Sequence, residues 1–237
     1  MYLLDLTLPL PEENVALDEG LLAACETDQI TGGVLRLWEP DNYFVVLGRS
    51  SNANVEVNLA ACRAEQVPVL RRASGGGTIL AGPGCLMYAL VLSYADHAAA
   101  RDISAAHRLV LTCIADALLP LVPGINLAGT SDLAFHQGDL LQKFSGNALR
   151  CKRSHFLYHG TLLYDFDLDR VPKFLAQQTR EPVYRAGRTH RAFVANLPAT
   201  RKQLVNALAH AWQATEPLAP WPQERMRELV NEITSRL

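Results

Sequence analysis

Short apolar runs of strand length dominate the first two thirds of the chain, and a helical period breaks in only at intervals. Residues 2–7 read as an edge strand. Asn14 to about Glu26 carries Val15, Leu17, Leu21, Leu22 and Cys25 on one helical face. Thr31-Gly32-Gly33 breaks the chain. Val34 to Trp38 alternates as a strand, Glu39 to Asn42 turns, and Tyr43 to Gly48 reads as a buried strand. Asn58 is placed to cap a short helix through about Gln66. Val67 to Leu70, Thr78 to Leu80 and Leu86 to Ser93 follow as strands. Ile103 to Leu119 has the clearest helical period and is stopped by Pro120 and Pro123. Short strands are expected at 125–127 and 133–135. A hairpin turn at Gln137-Gly138-Asp139 leads to paired strands at 140–150 and 156–164. A helix is expected near 169–177, an irregular basic stretch over 180–197, and two closing helices at 200–214 and 222–237. Strands in runs with helices inserted unevenly predict an α+β fold, a mixed and mostly antiparallel sheet flanked by helices.

One stretch stands out against this pattern. Arg71-Arg72-Ala73-Ser74-Gly75-Gly76-Gly77-Thr78-Ile79-Leu80 sets two arginines against three consecutive glycines. Adjacent glycines cost backbone entropy, and the usual return is close approach of the main chain to a ligand, with free N–H groups facing an anion. A surface turn between strands would also explain them. Because the glycines lie between two strands, they do not form a Rossmann or P-loop fingerprint, which would open a helix.

A second stretch, Gln142 to Ala148, contains Lys143-Phe144-Ser145-Gly146. Strict strand alternation puts Lys143 and Ser145 on one face and Phe144 on the other. Gly146 leaves room for a ligand or a neighbouring backbone. Lys143 could meet a carboxylate or phosphate as a point charge, or face solvent. Tyr158-His159-Gly160-Thr161 sets a histidine in a strand, where it could be a half-buried structural group. Asp132, after Gly129-Thr130-Ser131, could be functional or close an Asx turn. Arg188 to Phe193 with Asn196 reads equally as a basic loop or an anion site. Asp165-Phe166-Asp167-Leu168-Asp169 lacks the glycine and glutamate of an EF-hand. No GxSxG or HExxH is present.

Composition narrows the field. The 237 residues are 49% hydrophobic and 19% charged, with net charge −2, which gives no footprint for general nucleic-acid binding. No apolar run is long enough to span a bilayer, and Met1-Tyr2-Leu3-Leu4-Asp5 is not a signal peptide, so a cytoplasmic location is expected. The five cysteines are scattered, without CxxC or zinc spacing. Lysines number four among 22 basic residues, so one inside a glycine motif invites a reason.

Taken in order, these elements resemble the catalytic domain of the lipoate–protein ligase family, within the biotin/lipoate ligase and octanoyltransferase superfamily. The resemblance runs from about Asn14 to Leu197. It is carried by Val15-Ala16-Leu17-Asp18-Glu19, Leu37-Trp38, Val45 to Arg49 with Asn52, the arginine–glycine stretch, Asp132-Leu133, Lys143 to Ala148, and His159 to Leu163. It implies a single catalytic domain over 1–237, without the C-terminal accessory domain of larger members, and two closing helices at about 199–237. It implies two steps: a lipoate or octanoate carboxylate attacks the α-phosphate of ATP, and a lysine of an apo lipoyl domain then displaces AMP. Acceptors of the 2-oxoacid dehydrogenase E2 or glycine cleavage H type are implied, with a small separate accessory subunit as one way to supply what the short chain lacks. Nucleic acid and membrane are not expected partners.

By the same resemblance Lys143 is catalytic. Arg72, Ser74, Gly75, Gly76, Gly77, Thr78, Ile79, Leu80, Asp132, Ser145, Gly146, His159, Gly160 and Thr161 bind substrate and nucleotide, and Asp132 also holds Mg²⁺. The chain departs from the family pattern at Ala81-Gly82, Cys85 and Thr130-Ser131, where His-Asp, Asn and Arg-Asn are common. Two other readings stand beside the ligase. One is an ATP-independent octanoyl- or lipoyltransferase acting through a cysteine, for which only Cys85 and Cys151 are near the motifs. The other is a non-catalytic lipoyl- or effector-binding module.

Overall fold

A computed structural model describes residues 1–176 and 181–235, and the side chains of the last two of these are left aside. Its strands are β1 Tyr2–Asp5, β2 Val34–Trp38, β3 Phe44–Leu47, β4 Val69–Arg71, β5 Ile79–Ala81, β6 Cys85–Ser93, β7 Ile125–Ala128, β8 Asp132–Gln137, β9 Leu140–Cys151, β10 His155–Leu163 and β11 Glu216–Pro217. Its α-helices are α1 Pro11–Glu26, α2 Ala53–Glu56, α3 Leu59–Ala64, α4 Ile103–Leu118, α5 Val171–Phe174, α6 His190–Phe193, α7 Arg201–Ala211 and α8 Gln223–Ser235. Among the described residues the main sheet has eight strands in the order β11-β1-β2-β6-β10-β9-β8-β7, and a three-stranded sheet runs β4-β3-β5. The β1–β2, β1–β11 and β3–β4 pairs are parallel; the others are antiparallel. This is the α+β architecture that the pattern predicts.

The two faces of the main sheet carry separate cores. Leu35, Leu37, Leu86, Tyr88, Leu90, Phe156, Tyr158 and Leu162 pack toward α4 and α7. Val34, Trp38, Ala89, Val91 and Leu157 pack toward α1 and α8. β2 is therefore buried at every position instead of alternating in exposure, because helices cover both sides.

Four expectations shift in detail. β1 is not the edge, since Glu216–Pro217 pairs outside it. α1 begins three residues early: Pro11 suits the first turn, the Glu13 side chain accepts from Leu10 N at 3.2 Å, and Asn14 sits inside the helix. The helix expected at 169–177 is a 3₁₀ turn, Leu168–Arg170, followed by the four-residue α5; position 177 lies outside the described residues. Within 180–197 the described residues contain a 3₁₀ turn, Val183–Arg185, and the short α6.

Candidate active site

β9 contains a bulge that decides which side chains meet. Leu133 pairs with Ser145 but Ala134 pairs with Lys143, so Phe144 is the extra residue. Phe144 is fully buried in the α4-side core. Ser145 turns the same way and donates to Asn147 Oδ1 at 3.3 Å, which also accepts the Tyr88 hydroxyl. The expectation that Lys143 and Ser145 share a face therefore fails. Lys143 shares its side with Gly146 and Ala148 instead, and Ser145 is 1% exposed, outside the cavity.

That cavity has a volume of about 350 Å³ and opens between the glycine loop and β9–β10. Val15, Trp38, Val46, Ile79, Met87 and Ala148 give it apolar walls. Lys143 Nζ lies 2.7 Å from Asp132 Oδ1. A Cβ at Gly146 would stand 2.8 Å from that Nζ, so the glycine is there to admit the lysine. Asp132 Oδ2 accepts the Tyr184 hydroxyl at 2.8 Å. Burial, and then the Asp132 charge, push the Tyr184 phenol well above its ordinary range and keep it a donor. Asn147 Nδ2 donates to Ser131 O at 2.8 Å and holds the Gly129–Ser131 turn against β9. A Cβ at Gly160 would lie 1.8 Å from Asn147 Oδ1, which explains the glycine after His159.

The glycine loop is braced from behind. Arg72 is 7% exposed and donates Nε to Ser74 Oγ at 3.0 Å and Nη1 to Val46 O at 3.3 Å. Its Nη2 donates to Gly75 O at 2.6 Å and to Gly77 O at 2.9 Å. Burial lowers the Arg72 pKa to about 10, opposed by the Glu56 charge, and the group stays a cation at neutral pH. Most of its donors are thus spent on the loop itself. The amides of Gly75, Gly76 and Gly77 have no partner among the described residues. Gly76 adopts φ +88°, and its carbonyl lies 2.0 Å from where a Gly48 Cβ would be, so two glycines are needed for one close approach. The Thr78 hydroxyl donates to Glu56 Oε2 at 2.5 Å.

Of the residues expected at the site, Arg72, Gly76, Gly77, Thr78, Ile79, Asp132, Lys143, Gly146, His159, Gly160 and Thr161 line this one cavity. Ser74 and Gly75 stand behind it as parts of the loop. Leu80 points away, into a core with Val45, Leu47 and Phe166. Of the departures from the family pattern, only Thr130 and Ser131 reach the cavity. Ala81 is core, and a Cβ at Gly82 would strike the Tyr43 ring at 2.3 Å. Trp38 and Asn147, which the sequence marked only as part of the resemblance, and Met87 also line the cavity, while Tyr184 reaches Asp132 without having been singled out beforehand. Tyr184 falls in a stretch without periodicity, where no pattern could have found it.

No cysteine lines the cavity. Cys25, Cys62 and Cys85 are buried, and burial pushes the Cys85 thiol far up; Cys151 is exposed at the end of β9. Among the described residues no three His, Cys, Asp or Glu side chains come together as a cation site. Asp132 is engaged by Lys143 and Tyr184. Among the described residues, therefore, no side chains form a resident Mg²⁺ site, and an ion here would need oxygens brought by a nucleotide.

Fold and cavity together define an α+β protein with an apolar-walled cavity centred on a lysine. Residues 10–211 match the family model for the lipoyl protein ligase A/B catalytic domain, and the chain belongs to that family. It is 30% identical over 165 residues to a probable lipoate-protein ligase A of Mycoplasma genitalium, covering 70% of this chain and 46% of that protein. It is 29% identical over 187 residues to lipoate-protein ligase A of Bdellovibrio bacteriovorus, covering 79% and 52% respectively. The chain thus spans about half the length of these relatives. Its fold is similar to that of a bi-partite lipoate protein ligase from Thermoplasma acidophilum, with TM-score 0.82, 22% identity, and 99% and 93% of the two chains covered. A lipoate-protein ligase A bound with ATP gives TM-score 0.78 and 23% identity, covering 99% of this chain and 95% of that one. Among the described residues no helix is long and apolar enough to cross a membrane.

Proposed function

We propose that this chain is the catalytic domain of an ATP-dependent lipoate–protein ligase. It forms the adenylate of lipoate or octanoate and passes the acyl group to a lysine of a lipoyl domain. The observation that carries the reading is the Lys143 ammonium, seated over Gly146 and lining one cavity with Gly76, whose amide has no partner among the described residues. Two anions, a carboxylate and a nucleotide phosphate, must be brought together, and this requires fixed positive charge and backbone donors. In the first step the acyl carboxylate oxygen bonds to the α-phosphorus and pyrophosphate leaves. In the second, the acceptor amine attacks the anhydride carbonyl, the carbonyl–oxygen bond breaks, and AMP leaves with the electron pair. Lys143 bridges carboxyl and phosphoryl oxygens in both steps, and the Gly76 amide stabilises charge on the second anion. The apolar walls take the acyl tail. Asp132 holds Lys143 in place and is released to the nucleotide side when the anions arrive.

A cysteine-based transferase is disfavoured by the absence of a thiol in the cavity. The lipoyl-domain acceptor and a separate small subunit are supported by the likeness to the bi-partite ligase, whose description includes an E2 lipoyl domain. The test mixes the protein with an apo lipoyl domain in two reactions. One holds lipoate, ATP and Mg²⁺; the other holds octanoyl carrier protein without ATP. Acylation confined to the first is expected, and acylation confined to the second would overturn the reading. Activity in the first that appears only after a small companion protein is added identifies a split ligase.

A further inference from the structure

Along one wall of the cavity, which Asp18, His159 and Arg72 help to line, a hydrogen-bonded chain runs from one buried arginine to another. Arg36 is fully buried in β2 and donates Nη1 to Asp18 Oδ1 at 2.7 Å. Nη1 also reaches Asn14 O at 2.7 Å, and Nη2 reaches Asn14 Oδ1 at 2.7 Å and Leu6 O at 3.2 Å. Asp18, in α1, is 5% exposed, and its Oδ2 lies 3.3 Å from His159 Nδ1. His159 Nε2 lies 2.6 Å from Ser74 Oγ, which also receives Arg72 Nε at 3.0 Å.

The directions of these bonds follow from chemistry. Arginine only donates and carboxylate only accepts. Asp18 Oδ2 therefore requires the proton of the neutral His159 ring on Nδ1. Nε2 is then the acceptor, so Ser74 donates to it and accepts from Arg72. For the neutral ring, every bond is then satisfied in one sense only. Arg72 in turn grips the carbonyls of Gly75 and Gly77. In a trans peptide the N–H points opposite to the C=O, so this grip turns the Gly76 amide away from Arg72, in a residue that lines the cavity.

We propose that Asp18 is a positioning residue: it sets the His159 tautomer, and through Ser74 and Arg72 it fixes the glycine loop in its anion-accepting form. The proposal rests on the ligase reading for its meaning but not for its test. The order Asp–His–Ser resembles a hydrolytic triad. Ser74, however, is 1% exposed, does not line the cavity and is held by Arg72, so it acts as a link and not as a nucleophile.

The test reads the histidine directly. Long-range ¹⁵N–¹H spectra of the full chain at pH 8, with the resonance assigned by its loss in His159→Gln, are expected to show the Nδ1–H tautomer. The Nε2–H tautomer would overturn the proposal. In Asp18→Asn the amide oxygen must still serve Arg36, so its NH₂ faces His159 and drives the proton to Nε2. A flipped tautomer is expected, and an unchanged one counts against the relay. If that variant does not fold, Ser74→Ala decides: His159 keeps its tautomer while affinity for octanoyl-sulfamoyl-adenosine falls about tenfold, the worth of one buried hydrogen bond. Wild-type affinity in Ser74→Ala, or labelling of Ser74 by a fluorophosphonate, would overturn the positioning role. Failure of the wild-type protein to bind the adenylate isostere would count against the ligase reading alone, leaving the tautomer measurement to judge the relay.

Discussion

At the scale of single residues the site depends on one charge and several missing side chains. Lys143 is 28% exposed at its side chain and paired with Asp132, so its removal should leave the fold intact. Lys143→Ala is expected to slow acyl-adenylate formation roughly 10²- to 10³-fold, the scale seen when one fixed donor is removed from a developing charge. Pyrophosphate release would measure it, with circular dichroism unchanged; near-normal release would sink the assigned role. Lys143→Arg should not rescue, because a planar guanidinium does not fit the point-charge position above Gly146. Gly160→Ala acts differently. Its Cβ would overlap Asn147 Oδ1, and Asn147 ties Ser131 to β9. A loss of about 1–3 kcal/mol in urea denaturation is expected, as for other overpacked interiors. Both glycines are visible in the sequence, but what each makes room for is not. Period-two reasoning put Lys143 with Ser145, and only the bulge at Phe144 moves Lys143 to Gly146. Such a bulge leaves no signature in the order of residues. Arg36 was equally silent: it stands inside Val34-Leu35-Arg36-Leu37-Trp38, and only the folded chain shows that it is buried against Asp18.

At the scale of elements, most strands and long helices were legible because their periods are unbroken, as in Ile103–Leu118 and Cys85–Ser93. Short pieces such as α5 and α6 were not, since four residues show no period. Contacts between distant elements were also invisible, and one of them contributes to the response to acid. Glu26 closes α1 and accepts from the backbone of Arg153 at 3.3 Å, Ser154 at 2.8 Å and His155 at 2.6 Å, tying the helix to the β9–β10 turn. Burial alone would raise its pKa, but hydrogen bonds from Ser154, His155 and Arg153 outweigh it and hold the carboxyl below its ordinary value. A folded pKa below the unfolded one, about 4.3 for Glu, gives stability that is fully present above the unfolded value. That stability is lost as pH falls through the folded value. Glu26→Gln should therefore be less stable than wild type by a constant amount above roughly pH 5. The difference should shrink as pH falls and vanish below the folded pKa. Urea denaturation across that range measures it, and a gap that widens on acidification would contradict the sign.

At the scale of the whole molecule, the cavity exists because two layers meet over one sheet. α1 brings Asp18 to the sheet face, and α8 covers α1 from outside. A Cβ at Gly20 would lie 3.6 Å from Met226 N, so the two helices approach closely at that glycine. Met226, Leu229 and Ile233 are buried at 3%, 1% and 0% exposure in the same core as Leu17, Leu21 and Val34. The sequence pattern marked α8 as a closing helix but could not say that it closes on α1, two hundred residues earlier. Fully burying each of these three side chains is worth about 1.5–3 kcal/mol, or roughly 5–9 together. Domains of ordinary stability hold only about 5–15 kcal/mol in all. Removing residues 222–237 should therefore do more than trim an end. It is expected to expose the outer face of α1, lower the urea midpoint to near zero or leave the chain unfolded, and disorder Asp18 with it. A milder variant separates docking from chain length: Leu229→Ala alone should cost about 2–5 kcal/mol, the range for a truncated core leucine. If the truncated chain keeps its midpoint, α8 is an appendage and the α1 layer stands without it. If Leu229→Ala shifts the midpoint as expected while adenylate formation at low urea is unchanged, α8 supports the site by holding α1 in place and not by touching the reacting groups.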